Sequence, residues 1–243
     1  MRLNRIYYSG SLTEDEIITP SSDITHYLTN VLRLSEECEI IIFNGDGAEY
    51  FAEILEITKK QIKIHIKKRV IVHRESHLQV ELAQGISRGE RMDWTIQKSV
   101  ELGVSIISPI FTERCEVKLE KDRLQRRIEH WQKIIISACE QSGRVRVPQL
   151  NHPITLEEWL GQDRDDLKLV CAPHAESSLS QLPTSISSVA LLIGSEGGLA
   201  PDEIQHAKDA GFIALGLGPR ILRTETAALA ALTIAQAKWG DLA

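Results

Sequence analysis

Val189-Ala190-Leu191-Leu192-Ile193 followed by Gly194-Ser195-Glu196-Gly197-Gly198 is the stretch on which the reading of this 243-residue chain turns. An unbroken apolar run bounded by glycine is the pattern of a strand buried on both faces, and ligands of open α/β sheets gather at the carboxyl ends of such strands. The pattern recurs nearby: Phe212-Ile213-Ala214-Leu215 empties into Gly216-Leu217-Gly218-Pro219-Arg220 and then into the helical run Arg223-Thr224-Glu225-Thr226-Ala227-Ala228-Leu229-Ala230. Glycine accepts positive φ and lets a flat ligand approach the backbone. Two such exits predict a pocket walled by main-chain amides, whereas either loop alone reads equally well as a tight turn and helix cap.

Familiar nucleotide and hydrolase signatures are absent. Gly216-Leu217-Gly218-Pro219-Arg220-Ile221 lacks the third glycine of G-x-G-x-x-G, and no G-x-x-x-x-G-K-[ST] occurs. Ile193 stands where a G-x-S-x-G nucleophile elbow needs its first glycine.

The run Leu192-Ile193-Gly194-Ser195-Glu196-Gly197-Gly198-Leu199, together with Leu217-Gly218-Pro219-Arg220-Ile221-Leu222-Arg223-Thr224-Glu225-Thr226-Ala227, resembles the signature of the RsmE family. These are SPOUT-superfamily enzymes that methylate N3 of a uridine in 16S ribosomal RNA. The resemblance extends to Gln97-Lys98-Ser99-Val100-Glu101-Leu102-Gly103-Val104, Thr112-Glu113-Arg114, Glu140-Gln141-Ser142-Gly143-Arg144, His26-Tyr27-Leu28 and Val31-Leu32-Arg33, so it covers nearly the whole chain. Two departures are Ser195, where many relatives carry proline, and Cys115, where serine is usual.

The resemblance implies an α/β fold with two domains. Residues 1–73 would form a small PUA-like RNA-binding β-barrel, and residues 74–243 a SPOUT methyltransferase domain with a mostly parallel sheet and a trefoil knot. It implies S-adenosyl-L-methionine as methyl donor, 16S rRNA within the small ribosomal subunit as partner, and a homodimer formed through the last helix. Ala172, Pro173, Ile193, Gly194, Glu196, Gly197, Leu215, Gly216, Leu217, Gly218, Ile221 and Leu222 are the expected donor-binding residues, with His174 beside Ala172 and Pro173 in the remaining wall.

For the chemistry, Glu196 and Glu225 are the carboxylates nearest the pocket in sequence, as proton acceptor or as helix caps. Arg220 is placed to hold the uracil oxygens as negative charge develops, or to bind phosphate, and Arg223 has the same two readings. Arg2, Arg5 and Arg33 are candidate RNA contacts of the first domain. Lys98, Arg114 and Arg144 are candidates of the second, each with an internal ion pair as its alternative. A ribose 2′-hydroxyl methyltransferase and a non-catalytic RNA-binding scaffold are the competing readings.

Composition bounds this picture. With 42% hydrophobic and 26% charged residues the chain reads as an ordinary globular protein, and its length suffices for one large domain or two modest ones. Met1-Arg2-Leu3-Asn4-Arg5 opens no apolar signal region and no run approaches a membrane span, so a cytoplasmic protein is expected. Cys38, Cys115, Cys139 and Cys171 are scattered as reduced thiols would be, and no metal site is expected. A net charge of −6 argues against strong non-specific nucleic-acid binding, although Ile57 to Arg74 holds Lys59, Lys60, Lys63, Lys67, Lys68, Arg69 and Arg74 without one acid. That strip reads as a solvated strand face or as an RNA-facing one.

Periodicity places the elements. Glu39–Phe43 and Glu49–Ile57 flank the turn Asn44-Gly45-Asp46-Gly47 as a hairpin, and Gln61–Lys67 alternates with Ile62, Ile64 and Ile66 inward. A helix from Ser22 to Leu32 is expected, capped by Ser22 or Asp23. Beyond the polar break Arg74-Glu75-Ser76-His77, strands are expected at 78–83, 106–111, 167–172, 189–193 and 212–215. Helices are expected at 89–102, 122–141, from Pro201, and at 225–239.

Overall fold

The computed structural model describes residues 3–58, 61–116, 121–164, 167–173, 175 and 181–242. Arg2, Lys59, Lys60 and His174, named above, lie outside the described residues. The chain divides into two compact units, Met1–Glu75 with Cys139–Val147, and Ser76–Ala138 with Pro148–Ala243.

The first unit is built on a five-stranded sheet of β1 (Asn4–Tyr7), β2 (Ile17–Ile18), β3 (Glu39–Phe43), β4 (Ala48–Ile57) and β5 (Ile62–Ile71), in the order β1-β3-β4-β5-β2. Ile62, Ile64 and Ile66 are buried, as their alternation requires, and join Ile40, Ile42, Ile54 and Leu28 in one apolar core. Gly45 and Gly47 take φ of 96° and 93° in the β3–β4 turn, while the Asp46 carboxylate accepts the Ala48 amide at 2.9 Å. Register shifts at Phe51/Ala52 and Ile54/Glu56 mark irregularities that bend β4 against β5.

The first helix is shorter and differently capped than expected. α1 spans Ser22–His26, Ser21 rather than Ser22 or Asp23 accepts the Ile24 amide, and the chain then widens into a π-helical turn at Tyr27–Val31. β1 was also unforeseen: it lies parallel to β3, a pairing between distant segments that leaves no local signature.

In the second unit β6 (Gln79–Gly85), β7 (Ile106–Phe111), β8 (Gln149–Leu150), β9 (Ile154–Thr155), β10 (Leu167–Cys171), β11 (Ser188–Ile193) and β12 (Ile213–Leu215) form a sheet in the order β12-β10-β11-β6-β7-β8, with β9 also on β7. Every pairing in it is parallel. The helices are α2 (Glu90–Glu101), α3 (Lys121–Ser142), whose last residues from Cys139 on belong to the first unit, α4 (Leu156–Leu160), α5 (Pro201–Asp209) and α6 (Thr224–Trp239). Val189 through Ile193 are all buried, because helices cover both faces of a parallel sheet. Met92, Ile96 and Val100 of α2 are buried together, and Gly103 takes φ of 82° just past its end, the left-handed stop that glycine provides. β8, β9 and α4 are too short to show a period in sequence; α4 is marked only by the capping box between Thr155 and Glu158.

Candidate functional site

The carboxyl ends of β10, β11 and β12 open onto a cavity of about 250 Å³. Ala172, Pro173, Ile193, Gly194, Glu196, Gly197, Leu215, Leu217, Gly218, Ile221 and Leu222 line it; of the expected donor-binding residues among those described, Gly216 alone is not in the wall. Gly216 instead makes room for its neighbour, since a Cβ there would sit 2.6 Å from the Ala175 carbonyl oxygen. A Cβ on Gly194 would lie 2.6 Å from the Gly198 carbonyl carbon and 2.7 Å from the Leu199 nitrogen. These glycines therefore permit main chain to pack against main chain at the carboxyl end of the sheet.

Hydrogen bonds fix the turn between β11 and α5. The Gly198 amide donates to the Ser195 carbonyl at 2.9 Å, Ser195 Oγ donates to the Arg114 carbonyl at 3.1 Å, and Arg114 Nη1 donates to the Gly197 carbonyl at 3.1 Å. Ser195, 2% exposed, thereby holds the loop by its hydroxyl. Cys115 donates its thiol to the Ile86 carbonyl at 3.3 Å.

Glu196 lines the cavity, but its carboxylate faces two donors: the Arg88 amide at 2.7 Å and Arg91 Nη1 at 3.3 Å. Partial burial pushes this carboxyl up, and the hydrogen bonds from the Arg88 and Glu196 amides and from Arg91, with the Arg91 charge, outweigh that and hold it below the ordinary carboxylate value. A general base near neutrality needs the opposite shift, so the geometry makes Glu196 a tie between the turn and the segment entering α2. Glu225 sits in the first turn of α6, outside the cavity wall, with Oε2 buried and without a hydrogen-bond partner. Arg220 is exposed and lines the cavity, whereas Arg223 is the exposed N-cap residue of α6 and does not.

The expected RNA contacts divide. Arg5 is 8% exposed; it pairs with Glu49 and donates to the Arg144 carbonyl at 3.0 Å. Arg144, 7% exposed, pairs with Glu75 at 2.7 Å. Each guanidinium is buried against a carboxylate of its own unit, where exposure would cost a desolvated acid its partner, so the burial favours an internal ion pair over RNA contact for both. Lys98 pairs with Glu101 at 2.8 Å on α2, and Arg114 is held by the loop it braces. Arg33 is exposed, at φ of 54°. In the basic strip, Lys63 meets Glu56 and Lys67 meets Glu53, each at 2.6 Å, so acids of β4 offset part of the charge of β5.

Sequence reasoning passed over several wall residues, namely Cys171, Ser195, Gly198, Leu199, Ile204, Thr224 and Ala227, and also Arg88 and Arg91 behind Glu196. Thr224 and Ala227 stood inside a quoted motif, but nothing in it tells which side of the helix start faces the cavity.

The wall chemistry suits an adenosyl group. Aliphatic Ile193, Leu199, Leu215, Leu217 and Leu222 offer apolar faces for a flat base, and glycine-bearing main chain comes close enough to read its edge. Among the described residues no cluster of three or more His, Cys, Asp or Glu is placed to hold a metal ion. Nor is any helix there long and apolar enough to cross a membrane.

Comparison with known proteins agrees with this geometry. A family described as RNA methyltransferase domain matches residues 74–236, and one described as RNA methyltransferase PUA domain matches residues 21–67. A ribosomal RNA small subunit methyltransferase E of Buchnera aphidicola (subsp. Schizaphis graminum) is 42% identical over 242 residues, covering 99% of this chain and 98% of its own. The chain belongs to the ribosomal RNA small subunit methyltransferase E family. The Bacillus subtilis member is 34% identical, covering 93% of this chain and 94% of its own. Two solved structures extend the likeness over the whole of both chains. A methyltransferase from Legionella pneumophila in complex with the cofactor SAM has a TM-score of 0.97 at 41% identity. A ribosomal RNA small subunit methyltransferase E from Neisseria gonorrhoeae bound to S-adenosyl methionine has 0.93 at 37%.

Proposed function

We propose that this family member transfers a methyl group from S-adenosyl-L-methionine to N3 of a uridine in 16S rRNA during maturation of the small ribosomal subunit. The observation that carries the reading is the convergence of both glycine-bearing strand exits on one cavity walled by main chain and aliphatic side chains. Residues 1–73 are the PUA-like RNA-binding part and residues 74–243 the methyltransferase part, with the trefoil knot of SPOUT proteins around the cavity. The protein works in the cytoplasm as a homodimer, for which the exposed small residues Thr226, Thr233 and Ala237 of α6 provide a surface.

Bound S-adenosyl-L-methionine supplies a methyl group activated on sulfonium. Gly194, Gly197 and Gly218 with Leu215 and Leu217 hold it through main chain, and Ile193 and Leu222 flank its base. Uracil N3 lies on the Watson-Crick edge, so the target must be unpaired or extruded before it can meet the cavity. Arg220, exposed on the rim, stabilises the uracil oxygens as the imide gives up its proton to solvent water, because a neighbouring cation favours the anionic form. Ile221, 79% exposed, offers an apolar surface beside it for the extruded base. Glu196 keeps Arg88 and Arg91 beside the cavity, where they and Arg223 meet the RNA backbone, and Arg33 is the candidate backbone contact of the first unit.

The test is to incubate the protein with small subunits lacking the modification and isotope-labelled donor, then digest the RNA to nucleosides. N3-methyluridine is expected. Label on a ribose 2′-oxygen, or no label while the donor is bound, overturns the assignment.

A further inference from the structure

Gln84, at the end of β6, belongs to no motif and does not line the cavity, yet it is 0% exposed and its side chain joins the segments that build the wall. Its Nε2 donates to the Gly85 carbonyl at 3.0 Å, to Thr224 Oγ1 at 2.8 Å and to the Gly194 carbonyl at 3.3 Å. Thr224 Oγ1 in turn donates to the Gly194 carbonyl at 2.6 Å. Gly194 and Thr224 both line the cavity.

Nε2 carries two protons for these three oxygens, so the two shorter contacts, to Thr224 Oγ1 and the Gly85 carbonyl, take one each and the Gly194 carbonyl at 3.3 Å shares one of them as the weaker arm of a three-centre bond. Carbonyl oxygens only accept, so the end of the carboxamide facing Gly85 and Gly194 is the NH2 group. Thr224 has a single hydroxyl proton; with that proton on the Gly194 oxygen, its own oxygen accepts from Gln84. Three chain segments, the end of β6, the exit of β11 and the start of α6, are thereby cross-linked at one buried point. They are also packed to the limit there, since a Cβ on Gly85 would collide with the Ser195 backbone.

We propose that Gln84 is a positioning residue for the methyl donor: by locking the Gly194 carbonyl and the Thr224 hydroxyl in one hydrogen-bonded arrangement, it sets the shape of the donor cavity and hence donor affinity. This rests on the donor reading above. Gln84 acts through the wall, touching neither donor nor RNA, so its loss weakens donor binding more than it slows turnover at saturation. Without it the β11 exit peptide keeps one of its two side-chain partners and gains freedom to rotate.

The test is calorimetric titration with S-adenosylhomocysteine, alongside steady-state kinetics, for the full-length protein and its Gln84→Met variant, which keeps the length and removes the donor group. Expected is a rise in Kd and donor KM of about tenfold to a hundredfold, the scale found for outer-shell partners of metal ligands, with kcat changed by far less. Thr224→Val should shift Kd in the same direction and Thr224→Ser should restore it; this pair reads the clamp even where Gln84→Met fails to fold. Wild-type Kd in Gln84→Met, or in Thr224→Val, overturns the proposal, as does a fall confined to kcat. Absence of binding by the unaltered protein instead overturns the donor reading itself.

Discussion

Gly194→Ala is expected to weaken S-adenosylhomocysteine binding about a hundredfold in a calorimetric titration while the first unit keeps its fold. The effect is steric, because Gly194 has no positive φ to lose and the added Cβ meets backbone atoms of Gly198 and Leu199 at 2.6 and 2.7 Å. Backbone cannot rotate aside as a flexible side chain does, so the turn must open by about an ångström, a displacement that costs about a hundredfold at a well-organised site. Gly218→Ala is the informative contrast. Gly218 has φ of 91° but no atom nearer its would-be Cβ than Arg220 Nη2 at 3.9 Å, so alanine there incurs only the left-handed backbone penalty of about 1–2 kcal/mol. A Gly194→Ala variant that binds with unaltered affinity would remove this turn from the donor site.

Arg5→Ala should lower the unfolding temperature of the first unit steeply and leave the salt dependence of RNA binding unchanged. Glu49, 3% exposed, is held by Arg5 and Arg74, and removing the buried partner strands a carboxylate that has little access to water. Breaking such a pair costs about 3 kcal/mol at the lower end of the usual range, which Arg74 keeps it near. For a unit of this size that corresponds to a drop of about 12–24 °C. Lys63→Ala, removing an exposed pair with Glu56, should cost under about 1 kcal/mol. Thermal denaturation checks both; an Arg5→Ala protein as stable as its parent, with a shallower salt slope, would return Arg5 to the RNA surface.

Arg5 also shows where sequence reading stops. Its charge is visible, but its partner stands 44 residues away and the carbonyl it meets belongs to Arg144, so nothing local separates a buried tie from a surface contact. Glu140 is similar: it takes the Tyr7 amide at 3.0 Å, burial pushing its carboxyl up against the opposing pull of that bond and of Arg5. The motif 140–144 thus reads as chemistry in sequence and acts as internal bracing in the fold. Elements with a period fared differently. β11 and the helices α2, α3, α5 and α6 are legible because each must bury one face or both, and that demand is written into residue spacing. β1, β8 and β9 are short partners recruited by strands already present.

Most of the cavity wall was legible for a related reason: glycines at strand exits announce a close backbone approach, and two exits stand within one stretch of sequence. Thr224 and Gln84 were not. A buried polar side chain shows its purpose only through its partners, and those of Gln84 lie 110 and 140 residues away.

The most direct measurement is a crystal structure of the protein with S-adenosylhomocysteine. The ligand should lie between Ile193–Gly198 and Leu215–Leu222, with its base edge against main chain and the Gln84, Thr224 and Gly194 hydrogen bonds intact. Density for the ligand anywhere else, with this cavity left to solvent, would contradict the account.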